Sequence, residues 1–340
     1  MAADVTPATG QTSPTEPTRR RRGFVVPEVG ALVLFLVAEL IFFGIKSPYF
    51  FERENWFNIL TAITIYGVLA APATLLLVAG QFDLSVGSGT AFIAVMMAYM
   101  AGTQPPSLGH SVLFSVVVAV ACGIGIGVIN GFFVTVVGVN ALITTLGMLA
   151  VLRGFAQVIS SGQTVLLDTF TGPGQGRLAG VPFDIPVAAV ILVGVLLLFW
   201  GVMRYTVYGR SMYAIGSNPV AARLTGIRSK RLIFFGFVLS GLAMALGGLI
   251  LVSEVGAAPP GTLASGYELQ VVTAVILGGA SLAGGRGTIF GTVLGLLIIG
   301  VLNNGLNLLS VDAFWQQVAS GALLIAAVSF DQLRIRLTAR

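Results

Sequence analysis

The sequence predicts an all-α, polytopic membrane protein, on three observations. Of its 340 residues 56% are hydrophobic and 9% charged, outside the balance of a water-soluble domain. Apolar runs close to the length of a bilayer span recur between residues 29 and 330. Those runs lack the apolar–polar alternation of an outer-membrane strand, so backbone groups facing lipid must be satisfied within helices.

Taken in order, residues 1–22 are rich in Thr and Pro and end in Arg19–Arg22, so 1–28 reads as a disordered, basic cytoplasmic tail. The run RRGFVV resembles a twin-arginine export signal. Glu39 inside the next apolar segment, the ending GIKSPYF and the many later spans oppose that reading. A transmembrane domain over 29–330 follows, with about ten spans placed at 29–45, 58–79, 86–101, 111–137, 141–159, 186–203, 231–252, 267–283, 287–302 and 313–330. A short tail, 331–340, closes the chain. On this threading Arg19–Arg22, the six cations of 204–231, Arg286, Arg334, Arg336 and Arg340 share one side. Only Lys46, Arg53 and Arg177 fall on the other, and Arg153 lies within a span. The larger set marks the cytoplasm, so both termini are expected there. The same sorting by side accounts for the pI near 9.7 without nucleic acid as a partner.

The segments 86–101 and 287–302 are short and Gly-punctuated, and each reads either as a full crossing or as a re-entrant half-helix. They adjoin an internal repeat: GQFDLSVGSGTAF (80–92) aligns without gaps to GGASLAGGRGTIF (278–290). Paired Gly-interrupted segments in two halves point to a translocation pathway. Both copies face the same way on the span count. Gly123, Gly127 and Gly131 share one helical face, as do Gly287, Gly291 and Gly295 on a helical reading, and such faces admit close helix packing.

The longest strongly polar interval between spans is 204–231, with six cations and no acidic residue. Within it Asn218 suits an N-cap, Pro219 the first helical position and Gly226 a left-handed stop after Ala221-Ala222-Arg223-Leu224. One or two turns are unstable alone, so this helix is expected to dock on another protein in the cytoplasm.

Several residues carry a functional reading beside a structural one. Asp83 is a substrate or gate contact, or the N-cap of a helix starting at Leu84. Asn303, Asn304 and Asn307 offer amides that suit a polyhydroxylated neutral solute, or they cap and cross-link helices. Arg153 and Glu39 are ionisable groups within spans, costly there unless paired or wet. With Gln81, the candidate translocation path comprises Gln81, Asp83, Arg153, Asn303, Asn304 and Asn307. One cysteine, Cys122, and one histidine, His110, leave no material for an intrachain disulfide, a structural zinc site or a His-based triad, and no metal or other cofactor is expected. LAGGRG (282–287) superficially resembles an ABC ATPase signature. No G-x-x-x-x-G-K-[ST] occurs, nor any H-E-x-x-H or G-x-S-x-G, so neither ATP hydrolysis nor intramembrane catalysis has a recognisable site.

Four stretches in order, GQFDLSVGS (80–88), YAIGSNPVAARLTGI (213–227), GYELQVVTAVILGGASLAGGRGTIFGT (266–292) and VLNNGLNLL (301–309), resemble the permease subunits of ribose-type monosaccharide ABC importers. The wider family includes branched-chain amino acid permeases. Gln81 and Phe82 stand where that family commonly has Gly and Ile, and Val220 where a carboxylate is usual. The resemblance implies a bacterial inner-membrane permease that dimerises with a second copy or a related chain. It implies reception of substrate from an extracytoplasmic sugar-binding protein and coupling to two cytosolic ATPase domains. It assigns Gly216, Asn218, Pro219, Ala221, Ala222, Arg223, Leu224 and Gly226 to the ATPase-coupling loop. The substrate is then a neutral pentose, hexose or polyol, with a sugar-like signal or a branched-chain amino acid as alternatives. From the residues alone, a stand-alone secondary transporter or channel remains open, with Glu39 as its candidate coupling carboxylate.

Overall fold

Glycine seams and apolar runs together decide the architecture. The computed structural model describes residues 28–178, 180 and 184–338, so the N-terminal tail lies outside the described residues. In chain order the helices are α1 (Glu28–Lys46), α2 (Arg53–Val78), α3 (Val86–Ala101), α4 (Val112–Phe132, continued by a π-helical turn Phe133–Val137) and α5 (Ala141–Ile159). They continue as α6 (Gly172–Gln175), α7 (Val187–Tyr205), α8 (Val207–Ser217), α9 (Pro219–Leu224) and α10 (Ser229–Val255). The last three are α11 (Tyr267–Leu277), α12 (Ile289–Leu308) and α13 (Ala313–Thr338). Two short strands, β1 (Val165–Leu166) and β2 (Ala257–Ala258), pair antiparallel in the loops opposite α8 and α9. Every apolar interval expected to span contains a helix, though the one at 267–283 is helical only to Leu277. Among the described residues six helices are long and apolar enough to cross a bilayer: α2, α4 with its π-turn, α5, α7, α10 and α12. The protein is therefore an all-α, multi-pass membrane protein.

α10 is the central post, packed on α4, α3 and α2. Its contact with α4 is backbone against backbone. A Cβ on Gly241 would strike the Gly123 carbonyl, and one on Gly127 the Phe237 carbonyl. Small residues at this spacing let dispersion act along the whole seam, where lipid gives no hydrophobic drive between helices. The second glycine stripe is only partly helical. Gly291 and Gly295 pack α12 onto the Gly278 and Ala274 carbonyls, but Gly287 precedes α12 with φ 144°.

The doubtful crossings resolve unequally. α12 runs unbroken for 20 residues, so it is a full-length helix. α3, at 16 residues, is about 24 Å long, short of a ~30 Å hydrocarbon core. The interval 267–283 was expected to be one span, yet α11 ends at Leu277 because Gly278 and Gly279 turn the chain, the latter at φ 90°. α11 thus reaches about 16 Å. α3 starts partway along α10, where Asp83 meets Ser240 and Gly89 meets Met244. The first turn of α11 lies beside Gly87, and its last residues lie by the start of α12. The N-termini of two half-helices therefore face one another inside the bundle, and the helices run apart from that point. At the far end α13 stays helical past residue 330, to Thr338.

Candidate functional site: two short helices set on two glycine-rich links

The 204–231 interval folds as two helices, one more than its local signals announce. Thr206 caps α8, its Oγ1 accepting from Gly209 N at 3.1 Å. Asn218 caps α9, its Oδ1 accepting from Val220 N (3.1 Å) and Ala221 N (3.0 Å), and Gly226 leaves at φ 83°. Ala222 is buried in a cluster with Ile215 and Met212 of α8 and with Leu75 and Val78 of α2. Val220 and Leu224 point the other way, at 69% and 83% exposure. This six-residue helix is anchored by its alanine and presents two bare aliphatic side chains outward. Arg223 is exposed alongside them.

Gly216, at the end of α8, occupies the most crowded point. A Cβ there would collide with the Val78 carbonyl and lie 2.6 Å from Gly285 N. Gly285 N itself donates to Val78 O at 2.8 Å, and Tyr213 donates its hydroxyl to Gly287 O at 2.6 Å. A Cβ on Gly284 (φ 83°) would meet Gly80 N at 3.0 Å and Gly216 Cα at 3.1 Å. The links Ala79–Ser85 and Gly278–Thr288, which carry the opening residues of the two repeat copies, thus touch each other, and α8 rests on both. Burial pushes the phenols of Tyr213 and Tyr208 above their usual range. Both therefore stay protonated donors at neutral pH, Tyr208 to Leu232 O at 3.0 Å.

From the first link a polar chain runs inward. Asp83 is 5% exposed; its Oδ1 accepts from Ser85 N (3.0 Å) and Ser85 Oγ (2.6 Å), and its Oδ2 from Ser240 Oγ (2.7 Å). Asn130 Nδ2 donates to Ser85 Oγ at 3.0 Å. Asp83 is not the N-cap of α3, which starts at Val86 with Ser85 in that position and no side-chain cap bond. Its carboxylate closes a turn on Ser85 N and ties the link to α10 and, through Ser85, to α4. Ser240, Ser85 and Asn130 carry no sequence signal as partners of Asp83.

The other candidate path residues lie elsewhere. Gln81 lines a cavity beside α9. Arg153 donates Nη1 to Leu263 O (2.7 Å) and Pro260 O (3.3 Å), pinning the loop that dips towards α11. Asn303 Nδ2 donates to Gln270 Oε1 at 3.5 Å, and Asn304 Nδ2 to Asn55 Oδ1 at 2.9 Å. Both join α12 to neighbouring helices, at the end of α12 remote from α8. Asn307 is exposed at that same end. These six residues do not converge on one site. Glu39, on α1, is 8% exposed, and both carboxylate oxygens lack a hydrogen-bond partner among the described residues. Nor does any group of three His, Cys, Asp or Glu among the described residues come together as a metal site.

Residues 55–328 match the family model described as the permease component of branched-chain amino acid transport systems. The chain belongs to this permease family. The permease is 37% identical to the ribose import permease protein of Escherichia coli, over 87% of its own length and 92% of the relative's. It is 36% identical to the Bacillus subtilis ribose import permease protein (90% and 92%) and 38% identical to the L-arabinose transport system permease protein of Escherichia coli (92% of each). No solved structure matches it.

Proposed function

We propose that this permease is the membrane subunit of an ABC importer for a neutral monosaccharide. Relatives named for ribose and L-arabinose, matched over nearly their whole length, carry that reading. In it the sugar arrives from an extracytoplasmic binding protein, and a second permease copy completes the path in the bacterial inner membrane. Two cytosolic ATPases do the hydrolysis, docking on α9 through Val220, Leu224 and Arg223. The contacts of Gly216 and Tyr213 favour a specific transmission route. ATPase closure displaces α8, and α8 moves the Ala79–Ser85 and Gly278–Thr288 links that lead to the half-helices α3 and α11. Helices packed backbone to backbone pass on displacement with little loss, because no side-chain rotamer can absorb it.

The test is reconstitution with the ATPase and binding protein that co-purify with it. ATP-dependent accumulation of labelled ribose or arabinose is expected, and none by the permease alone. A second reading, a stand-alone transporter coupled to a proton, is favoured only by the unpartnered Glu39 carboxylate. It requires uphill uptake by liposomes holding the permease alone, abolished by Glu39→Gln.

A further inference from the structure

Two adjoining cavities open beside the coupling segment. The first, of about 580 Å³, lies between the Ala79–Phe82 link, the turn from α4 to α5 and the starts of α9 and α10. The second, of about 550 Å³, lies between the π-helical turn of α4 and the first turns of α10. Thr135 and Lys230 line both, so they form one groove running from α9 around the side of the bundle. Its cations are Arg223, Lys230 and Arg231, and no carboxylate lines either cavity. Among the described residues the salt bridges join Glu54 to Arg53 and Arg177, so none neutralises these three. The first turn of α10, a 27-residue helix, holds no acidic residue, and its dipole adds positive potential at the same place. The outer lip is apolar and open: Phe235 is 57% and Val136 61% exposed. π-Helical turns are rare and often mark functional positions, and this one supplies Val136 and Thr135 to the groove.

We infer that this groove is a binding site for one anionic phospholipid. The headgroup phosphate sits on Lys230 and Arg231, and an acyl chain lies along Phe235 and Val136. A free phosphate would use the cations but not the apolar lip. A neutral lipid would use the lip and leave the cations unanswered. Of the three, an anionic lipid satisfies both, and basic pockets at the cytoplasmic ends of transmembrane helices suit such headgroups. Pro219 and Arg223 of α9 line the same groove, so an occupied site braces the coupling segment against α10. The inference stands on the groove and on the membrane placement of the helices, whatever solute is carried.

The assembled importer would be purified into nanodiscs of phosphatidylcholine, with or without phosphatidylglycerol, and retained lipid read by native mass spectrometry after delipidation. The wild-type permease is expected to keep phosphatidylglycerol selectively, and ATPase stimulation by loaded binding protein to rise with it. Lys230→Gln with Arg231→Gln should lose both, Lys230→Arg with Arg231→Lys should restore both, and Arg204→Gln with Arg210→Gln should change neither. Retention by the double Gln variant equal to wild type would overturn the site. So would recovery of the stimulation in phosphatidylcholine on adding glycerol phosphate, since the groove would then take a soluble phosphate. Should the Gln variant assemble poorly, Phe235→Ser tests the acyl half, with weakened retention expected and unchanged retention counting against the site.

Discussion

Asp83 uses both carboxylate oxygens on three donors, one of them on α10, across 157 residues of chain. Truncation leaves those donors buried and unanswered, each worth about 1–3 kcal/mol. Asp83→Ala is therefore expected to lower the thermal midpoint in detergent well beyond Ser240→Ala, which removes one donor together with its need. Comparable losses for the two would contradict the network. At Gly216 the effect is steric rather than polar: Gly216→Ala pushes α8 off Val78 and Gly285. The expected result is an importer that assembles and hydrolyses ATP yet accumulates little sugar. Tyr213→Phe, which loses only the bond to Gly287 O, should lower sugar moved per ATP more mildly. Unaltered stoichiometry in both would remove the glycine contact from the transmission route.

At the scale of elements, α9 shows what short-range sequence can reveal. Its cap, its first proline and its left-handed stop are adjacent residues with fixed backbone preferences, so Asn218, Pro219 and Gly226 were readable one by one. Asn218→Ala removes two hydrogen bonds at the cap and costs about 1 kcal/mol of local helix stability. ATPase stimulation should fall, and Asn218→Ser should restore much of it. The length of α11 was not readable, because a glycine in an apolar run is equally at home in a packed helix and in a turn. Gly291 took the first course and Gly278–Gly279 the second, Gly278 packing on Gly291 itself and Gly279 turning at φ 90°. The seam between α4 and α10 gives a clean comparison. Gly127→Ala should destabilise strongly, while Gly125→Ala, with nothing within 4 Å, should be nearly silent in the same melting assay.

Across the whole molecule, burial sorts the spans into posts and walls. The most apolar windows of α2 and α10 are 72% buried, against 17% for α5 and 28% for α7, although all read alike as hydropathy. Sequence located the long apolar helices and the polar interval between α7 and α10, since each is a local or compositional property. The partners of Arg153, Asn303 and Asn304 were beyond it, because interhelical hydrogen bonds depend on rotations about helix axes that a span pattern does not fix. Salt offers a check at this scale. Exposed cations are screened within about 8–10 Å at physiological ionic strength. If Arg223 helps α9 hold its partner, raising salt should weaken ATPase association, and Arg223→Gln should flatten that dependence.

Glycine faces that touch atom to atom have one more effect. Sliding α4 along α10 would open voids along the entire line of contact at once, so the two cannot shear by small steps. In the proposed route they turn as a single beam, and opening and closing falls to the half-helices α3 and α11 with their links. Amide exchange at 236–248 and 119–131 should accordingly be the slowest in the protein and indifferent to nucleotide. The amides of 259–270 should quicken or slow with each stage of the ATPase cycle.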